Sequence, residues 1–255
     1  MGFRAARSVF TSGDALPLAI VLDDPALRVR LRVDRRARRF TLRLASDGEG
    51  AVLTLPPSVG EAAARQFLTQ HASWLRDALA RQPSSIVVDE GAMLPVDGQP
   101  RRVTLDQQAP RLPELTEGHI RLRPGSAIGP RLERWLRARA RARFEPVVMG
   151  YAHAVGRRCT GLKIADTRSR WGSCSSTGRI GLSWRLAMAP EAIQTYVAAH
   201  EAAHLVEMNH SQRYWAVLAG IMPDYAAKRA WLKREGRRLH AYRFEIASQH
   251  RDSEV

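Results

Sequence analysis

Three histidines and a glutamate in the C-terminal third of the chain constrain its fold more than any other feature. His200-Glu201-Ala202-Ala203-His204 matches H-E-x-x-H, and Tyr196, Val197, Ala199 and Leu205 flank it with helix-compatible packing. No proline or glycine interrupts the stretch. Residues four apart share one helix face, a turn apart, so both imidazoles reach a single metal ion. Zinc is the usual partner of such a pair. Glu201 lies about 100° around the helix from His200. It is too near in sequence to be a third ligand, but it can take a proton from water at the metal as the general base of a zinc hydrolase. The pattern predicts a helix opened by Pro190 and running from about Glu191 to Met208.

A third ligand requires that helix to end. On one continuous helix His210 would lie roughly 80° off the metal face and about 15 Å along the axis from His200. Asn209 is a residue type that tolerates the left-handed helix stop, and Ser211 can cap a following helix. The stretch from His204 to Ser211 therefore reads as a turn that folds His210 back. Glu207, three residues after His204, competes for the same position; if it is not a ligand, it orients a ligating imidazole.

The chain has 255 residues, with 40 basic against 25 acidic, for a formal charge of +15. All but three of the basic residues (Lys163, Lys228 and Lys233) are arginine, a bias of composition as much as of surface. A positive field still attracts phosphate or nucleic acid, so both are candidate partners. The composition, 45% apolar and 25% charged, excludes global disorder. No apolar run approaches the ~18 residues of a membrane span. Residues 1–20 lack an apolar run followed by a cleavage site and read as a ragged start. Two cysteines, Cys159 and Cys174, are too few for a disulfide framework and fit thiols in a reducing cytoplasm.

The fold class expected is α+β. Leu27–Val33, Phe40–Leu44 and Ala51–Leu55 alternate as strands, with turn chemistry at Ser46–Gly50. A helix capped by Ser58 follows to about Arg81, then short strands as far as Leu122. Pro124-Gly-Ser-Ala-Ile-Gly-Pro130 is the clearest linker. It suggests a β-rich portion over residues 21–125 with one helix, a metal-binding domain over 130–245, and a polar tail over 246–255. The second part opens with a basic helix from about Arg131 to Val155, continues through strands and a turn-rich hairpin at Ser169–Gly178, and ends in the zinc helix and two more helices. No internal repeat is evident.

His200 to Ser211 with Tyr214-Trp215 and Met222-Pro-Asp-Tyr225 resembles the YgjP-like branch of the SprT-like zinc metallopeptidases. So does Arg168-Ser-Arg-Trp-Gly-Ser-Cys-Ser175, followed by Arg179-Ile and Trp184-Arg-Leu186. The match is strong over about residues 160–235 and less specific before it. The resemblance implies a zincin-like domain whose H-E-x-x-H helix packs on a small sheet, zinc held by His200, His204 and His210, and Glu201 as the catalytic residue. The histidine spacing equals that of the metzincins, but Glu207 stands where their turn glycine would be.

The Arg168–Cys174 segment bears two readings. Arg168, Arg170 and Trp171 contact substrate, through an edge strand that takes an extended peptide or through arginines on an anion. Alternatively, Trp171 packs in the core and Gly172 makes a turn. Cys174 has no spare base to make it a nucleophile. Three functions follow: a cytoplasmic zinc peptidase acting on protein or peptide, with nucleic-acid-bound protein as one substrate implied by SprT-like relatives; a nucleotide pyrophosphatase of the UTP type, also attributed to the YgjP-like branch, with Arg168, Arg170 and Arg179 as phosphate clamps; or a basic nucleic-acid-binding protein with a structural zinc. Glu201 argues against the last, because a purely structural site has no use for a base.

Overall fold

The computed structural model describes residues 19–22, 27–45, 50–81 and 84–245. Most of the ragged start, most of the Ser46–Gly50 turn and the polar tail lie outside the described residues. Contacts divide the chain into two compact units, residues 1–82 and 83–255.

In the first unit, β1 (Ala19–Val21), β2 (Arg28–Val33), β3 (Thr41–Leu44) and β4 (Ala51–Leu55) form a sheet in the order β1-β2-β4-β3. The β2–β4 pair is parallel and the outer pairs are antiparallel. Strand alternation sends Ile20, Val29, Ala51, Leu53 and Leu55 inward, onto Ala64, Leu68 and Leu75 of the helices that follow. The single helix expected there is two, α1 (Glu61–Gln70) and α2 (Ala72–Ala80). His71 breaks it: its ring Nδ1 lies 2.8 Å from the Phe67 carbonyl and its ring stacks on Phe67, competing with the helical ladder. Gly60, not Ser58, occupies the N-cap.

In the second unit, β5 (Ile86–Val87) precedes four strands, β6 (Met93–Val96), β7 (Gln99–Leu105), β8 (Glu114–Thr116) and β9 (His119–Leu122), ordered β6-β7-β9-β8. Helix α3 (Ile128–Ala154) then buries a stripe of Leu132, Leu136, Ala140, Phe144, Val148 and Ala152 at four-residue spacing. Leu94, Val96, Val103, Ile120 and Leu122 share one core with that stripe. By its contacts the chain divides near residue 82; within Pro124–Pro130 only residues 124–127 connect this sheet to α3, and Ile128, Gly129 and Pro130 form the first turn of that helix.

After α3 come β10 (Gly161–Ala165), β11 (Gly172–Cys174) and β12 (Arg179–Ser183), a small sheet in the order β10-β12-β11 with β11 at its edge. Then follow α4 (Glu191–Ala203), α5 (Gln212–Ile221), α6 (Tyr225–Glu235) and β13 (Tyr242–Arg243), which pairs with β5. The architecture is α+β, with the H-E-x-x-H helix against the small sheet. Among the described residues no helix is long and apolar enough to cross a membrane.

Candidate active site

Helix α4 carries His200 and Glu201 and stops with His204 as its C-cap, earlier than the expected Met208. The stop does not use a left-handed Asn209: among the described residues only Asp97 and Ala127 are non-glycines with positive φ. Instead the chain tightens through Leu205 N–H to Ala202 O (3.0 Å) and Val206 N–H to Ala203 O (3.0 Å). Ser211 caps α5, its hydroxyl accepting from Tyr214 N–H at 3.3 Å, and the turn brings His210 back.

The three imidazoles offer ring nitrogens that all lie within 4.8 Å of one another. His200 and His204 each have their other ring nitrogen engaged. His200 Nδ1 lies 2.7 Å from the Tyr214 hydroxyl, which in turn donates to the His200 carbonyl at 3.0 Å. His204 Nδ1 lies 3.0 Å from the Glu207 carbonyl. These partners assign the Nδ1–H tautomer to both and leave each Nε2 as an open lone pair. His200 Nε2 and His210 Nε2 stand 3.2 Å apart. Two nitrogens on one tetrahedral zinc, each ~2.0–2.1 Å from it, are about 3.3 Å apart. The donor set therefore fits a divalent ion such as zinc. Burial pulls the His200 pKa down to about 3, with His204 and His210 adding to it, and burial lowers His204 as well, so these rings are neutral as ligands must be.

Glu207, the competing ligand, lends its backbone carbonyl to His204, while its carboxylate accepts from Asn209 N–H at 3.4 Å. Trp215 packs beside His210, with centroids 5.6 Å apart, stacks on Tyr225 and has Arg229 over its ring.

The histidines line a cleft of about 420 Å³ together with Arg170, Trp171, Gly172, Ser173, Cys174, Tyr196, Val197, Glu201, Met208 and Leu232. Among the described residues Glu201 is the only acid that lines it, and it is 4% exposed. Burial lifts its pKa to about 8, with the Arg170 charge pulling the other way. Of the residues expected to meet substrate, Arg170 and Trp171 line the cleft, whereas Arg168 and Arg179 do not. Trp171 stacks on His240 at 4.6 Å and lies against Gly236. Cys174 is a free thiol whose pKa burial raises to about 11, which suits an inert wall better than a nucleophile.

Two residues act here in ways the sequence did not disclose. Gly172 on β11 faces Glu201: a Cβ at that position would stand 2.3 Å from Glu201 Oε1. A glycine inside a strand is the signal for such a close approach. Tyr214, which reads as packing, is fully buried with its hydroxyl on His200.

A family model described as YgjP-like, metallopeptidase domain, matches residues 38–235. No curated protein matches the chain. The crystal structure of the metallopeptidase zymogen of Pyrococcus abyssi abylysin is similar over 37% of this chain and 93% of that one, at 20% identity and a TM-score of 0.33. A likeness that slight bears no weight.

Proposed function

The chain belongs to the YgjP-like metallopeptidase family, and from that premise we propose that it is a zinc-dependent peptidase that cleaves peptide bonds with water, Glu201 serving as general base. The observation that carries the reading is one cleft holding three converging imidazole nitrogens and a single buried carboxylate. His200, His204 and His210 would hold zinc, which supplies Lewis acidity to polarise a carbonyl and activate water near neutral pH. Glu201 accepts the proton of the attacking water on its carboxylate and delivers it to the departing amine nitrogen. Burial raises the proton affinity of that carboxylate, and the missing side chain at Gly172 leaves the room in which it stands. Tyr214 and the Glu207 carbonyl hold the two helix imidazoles in one orientation and one tautomer.

Substrate is an extended segment of protein or peptide. Strand β11 is the edge of its sheet and borders the cleft, so a peptide can add to it as a further strand. Arg170 and Trp171, just before that strand, flank the bound chain. The proposal places the protein in the cytoplasm, where Cys159 and Cys174 stay thiols. A phosphate-clamping reading finds less support, since only one of its three arginines lines the cleft.

The test compares zinc-loaded wild type and Glu201→Gln on an unfolded protein and on UTP. Proteolysis that falls at least a thousandfold in a variant that still binds zinc is the expected result. Glu201-dependent UTP cleavage without proteolysis would overturn it.

A further inference from the structure

Glycine at position 236 has no backbone reason to be there. Its φ of −55° and ψ of −37° are right-handed helical, a conformation open to ordinary residues, and a glycine in it costs stability relative to alanine. The residue is buried where α6 gives way to the short helical turn Gly236–His240. Space explains it. A Cβ at this position would stand 3.1 Å from Trp171 Cζ2 and 3.2 Å from both Trp171 Nε1 and Leu232 Cδ1. The glycine thus seats two side chains at once, and both of them line the cleft. Trp171 is gripped at two further points. His240 stacks on its ring, with centroids 4.6 Å apart and planes 26° from parallel, and its backbone carbonyl accepts from Ser183 N–H at 2.9 Å. One face of the indole and its Nε1–Cζ2 edge are therefore taken by the protein, and the rest is presented to the cleft.

We propose that Trp171 and Leu232 wall a specificity pocket, which takes a large apolar side chain such as leucine, methionine or phenylalanine from the substrate residue adjoining the scissile bond. This rests on the peptidase reading and gives it a substrate class. Trp171 immediately precedes Gly172, the residue packed on Glu201, so the wall stands one residue from the catalytic carboxylate. Val197, 2% exposed, and Met208, 48% exposed, add apolar surface to the same cleft. An unbranched, polarizable methionine adapts to side chains of different shape. Apart from the metal-site imidazoles, the ionisable groups that line the cleft among the described residues are Arg170, Glu201, Cys174 and Tyr196. Arg170 is exposed, Glu201 handles the proton, and burial holds the thiol and the phenol in their neutral forms at neutral pH. A charged substrate side chain entering beside Trp171 would lose its water against an apolar wall, whereas an apolar one gains by leaving water. The fixed points on the indole hold the wall in place before substrate arrives, which keeps the ordering cost of binding small.

Binding reads the pocket apart from turnover. Zinc-loaded Glu201→Gln protein is titrated by anisotropy with labelled Ser-rich peptides that carry a single Phe, Ala or Asp at the same place. The Phe peptide should bind at least about tenfold tighter than the Ala peptide. Trp171→Ala in the same background should bring the two within about threefold, and Leu232→Phe, which fills the space, should favour the Ala peptide. Gly236→Ala pushes the wall into the cleft from behind and should lower the Phe-to-Ala ratio about threefold. If Trp171→Ala fails a thermal-melt check of folding, Leu232→Phe carries the test. Wild-type digestion of an unfolded protein, with the cuts mapped by mass spectrometry, should then place a large apolar residue on one constant side of the cut. The proposal is overturned if the Phe and Ala peptides bind alike, if the Asp peptide binds tightest, if Trp171→Ala weakens both peptides equally, or if the cuts have no constant apolar neighbour. A wild type that cuts no protein would sink the peptidase reading, while the binding ratios decide the pocket on their own.

Discussion

Gly172→Ala isolates the position of Glu201 from everything else in the site. The added Cβ would stand 2.3 Å from Glu201 Oε1 and 2.6 Å from both its Cδ and its Cγ. Non-bonded contacts of this kind settle near ~3.5 Å, so the carboxylate must retreat by roughly 1 Å. Rotating the tip alone does not help, because Cγ is struck as well, and a side chain only 4% exposed has little room to withdraw. A misplacement of ~1 Å in a catalytic group costs on the order of 100-fold in rate, about 2.7 kcal/mol. Backbone strain does not enter, because Gly172 is not among the positive-φ glycines and alanine suits a strand there. Overpacking costs about 1–3 kcal/mol of stability, which a chain of this size registers as a Tm lower by several degrees. The assay is kcat and KM on a quenched peptide, alongside zinc content and a melting curve. The expected result is a kcat about 100-fold lower in a folded protein that holds its zinc. A kcat within threefold of wild type would refute the reasoning; so would inactivity traced to lost zinc, since the strand rather than Glu201 would then have moved.

Tyr214→Phe removes the hydroxyl that orients His200, and zinc affinity measured by chelator competition should fall about 10–100-fold with the fold intact. Unchanged affinity would remove Tyr214 from the site. Glu207→Ala should keep zinc affinity within a fewfold of wild type, because only its backbone carbonyl meets His204, whereas His210→Ala should lose most of it. Asp166→Asn tests an ion pair with one buried end: Arg185, 5% exposed, bonds the half-buried side chain of Asp166 at 2.9 Å and the carbonyls of Leu239 and Tyr242 at 3.2 and 3.0 Å. Burial would raise the Asp166 pKa, but the Arg185 hydrogen bond and charge, with the charges of Arg137 and Arg168, outweigh it and hold the group below the usual carboxylate range. A depressed pKa means stability that is present at neutral pH and lost as pH falls through the folded-state value. The variant should therefore lose about 3 kcal/mol at pH 7 and show a flatter decline toward acid pH in melting curves. A melting profile parallel to wild type from pH 7 to 3 would count against the pair.

What could be read from the chain and what could not follow from the range over which each interaction acts. The H-E-x-x-H helix is a local pattern of period 3.6, and His200, Glu201 and His204 emerge on it as expected. The need for the helix to end before His210 was legible, but its means was not. The stop comes at His204 itself, with the ring taking the Glu207 carbonyl, while Asn209 stays out of the left-handed region. His71 hid a helix break because its ring competes for a carbonyl within its own turn, a contact that apolar periodicity does not register. The division near residue 82 was illegible for the opposite reason. Leu94, Val103 and Ile120 join α3 in one core across long sequence separations, while Pro124-Gly125-Ser126 has all the local chemistry of a linker.

The Arg168–Cys174 segment shows how a reading split between substrate contact and structure resolves once each residue is placed. Trp171 is both: it lines the cleft and is held from behind by His240 and Gly236. Gly172 is not a turn: it lines the cleft at the start of β11 and leaves the space that Glu201 occupies. Ser173 pairs with Gly181 of β12, where an added Cβ would come within 2.8 Å of the Ser173 hydroxyl while the β11 backbone stays 3.9 Å away. The position of the base is thus set by the register of β11 on β12 as well as by the helix that carries it. A side chain at Gly181 would meet the Ser173 hydroxyl before any backbone atom of β11, so a turn of that hydroxyl absorbs the contact, whereas a side chain at Gly172 meets the Glu201 carboxylate directly.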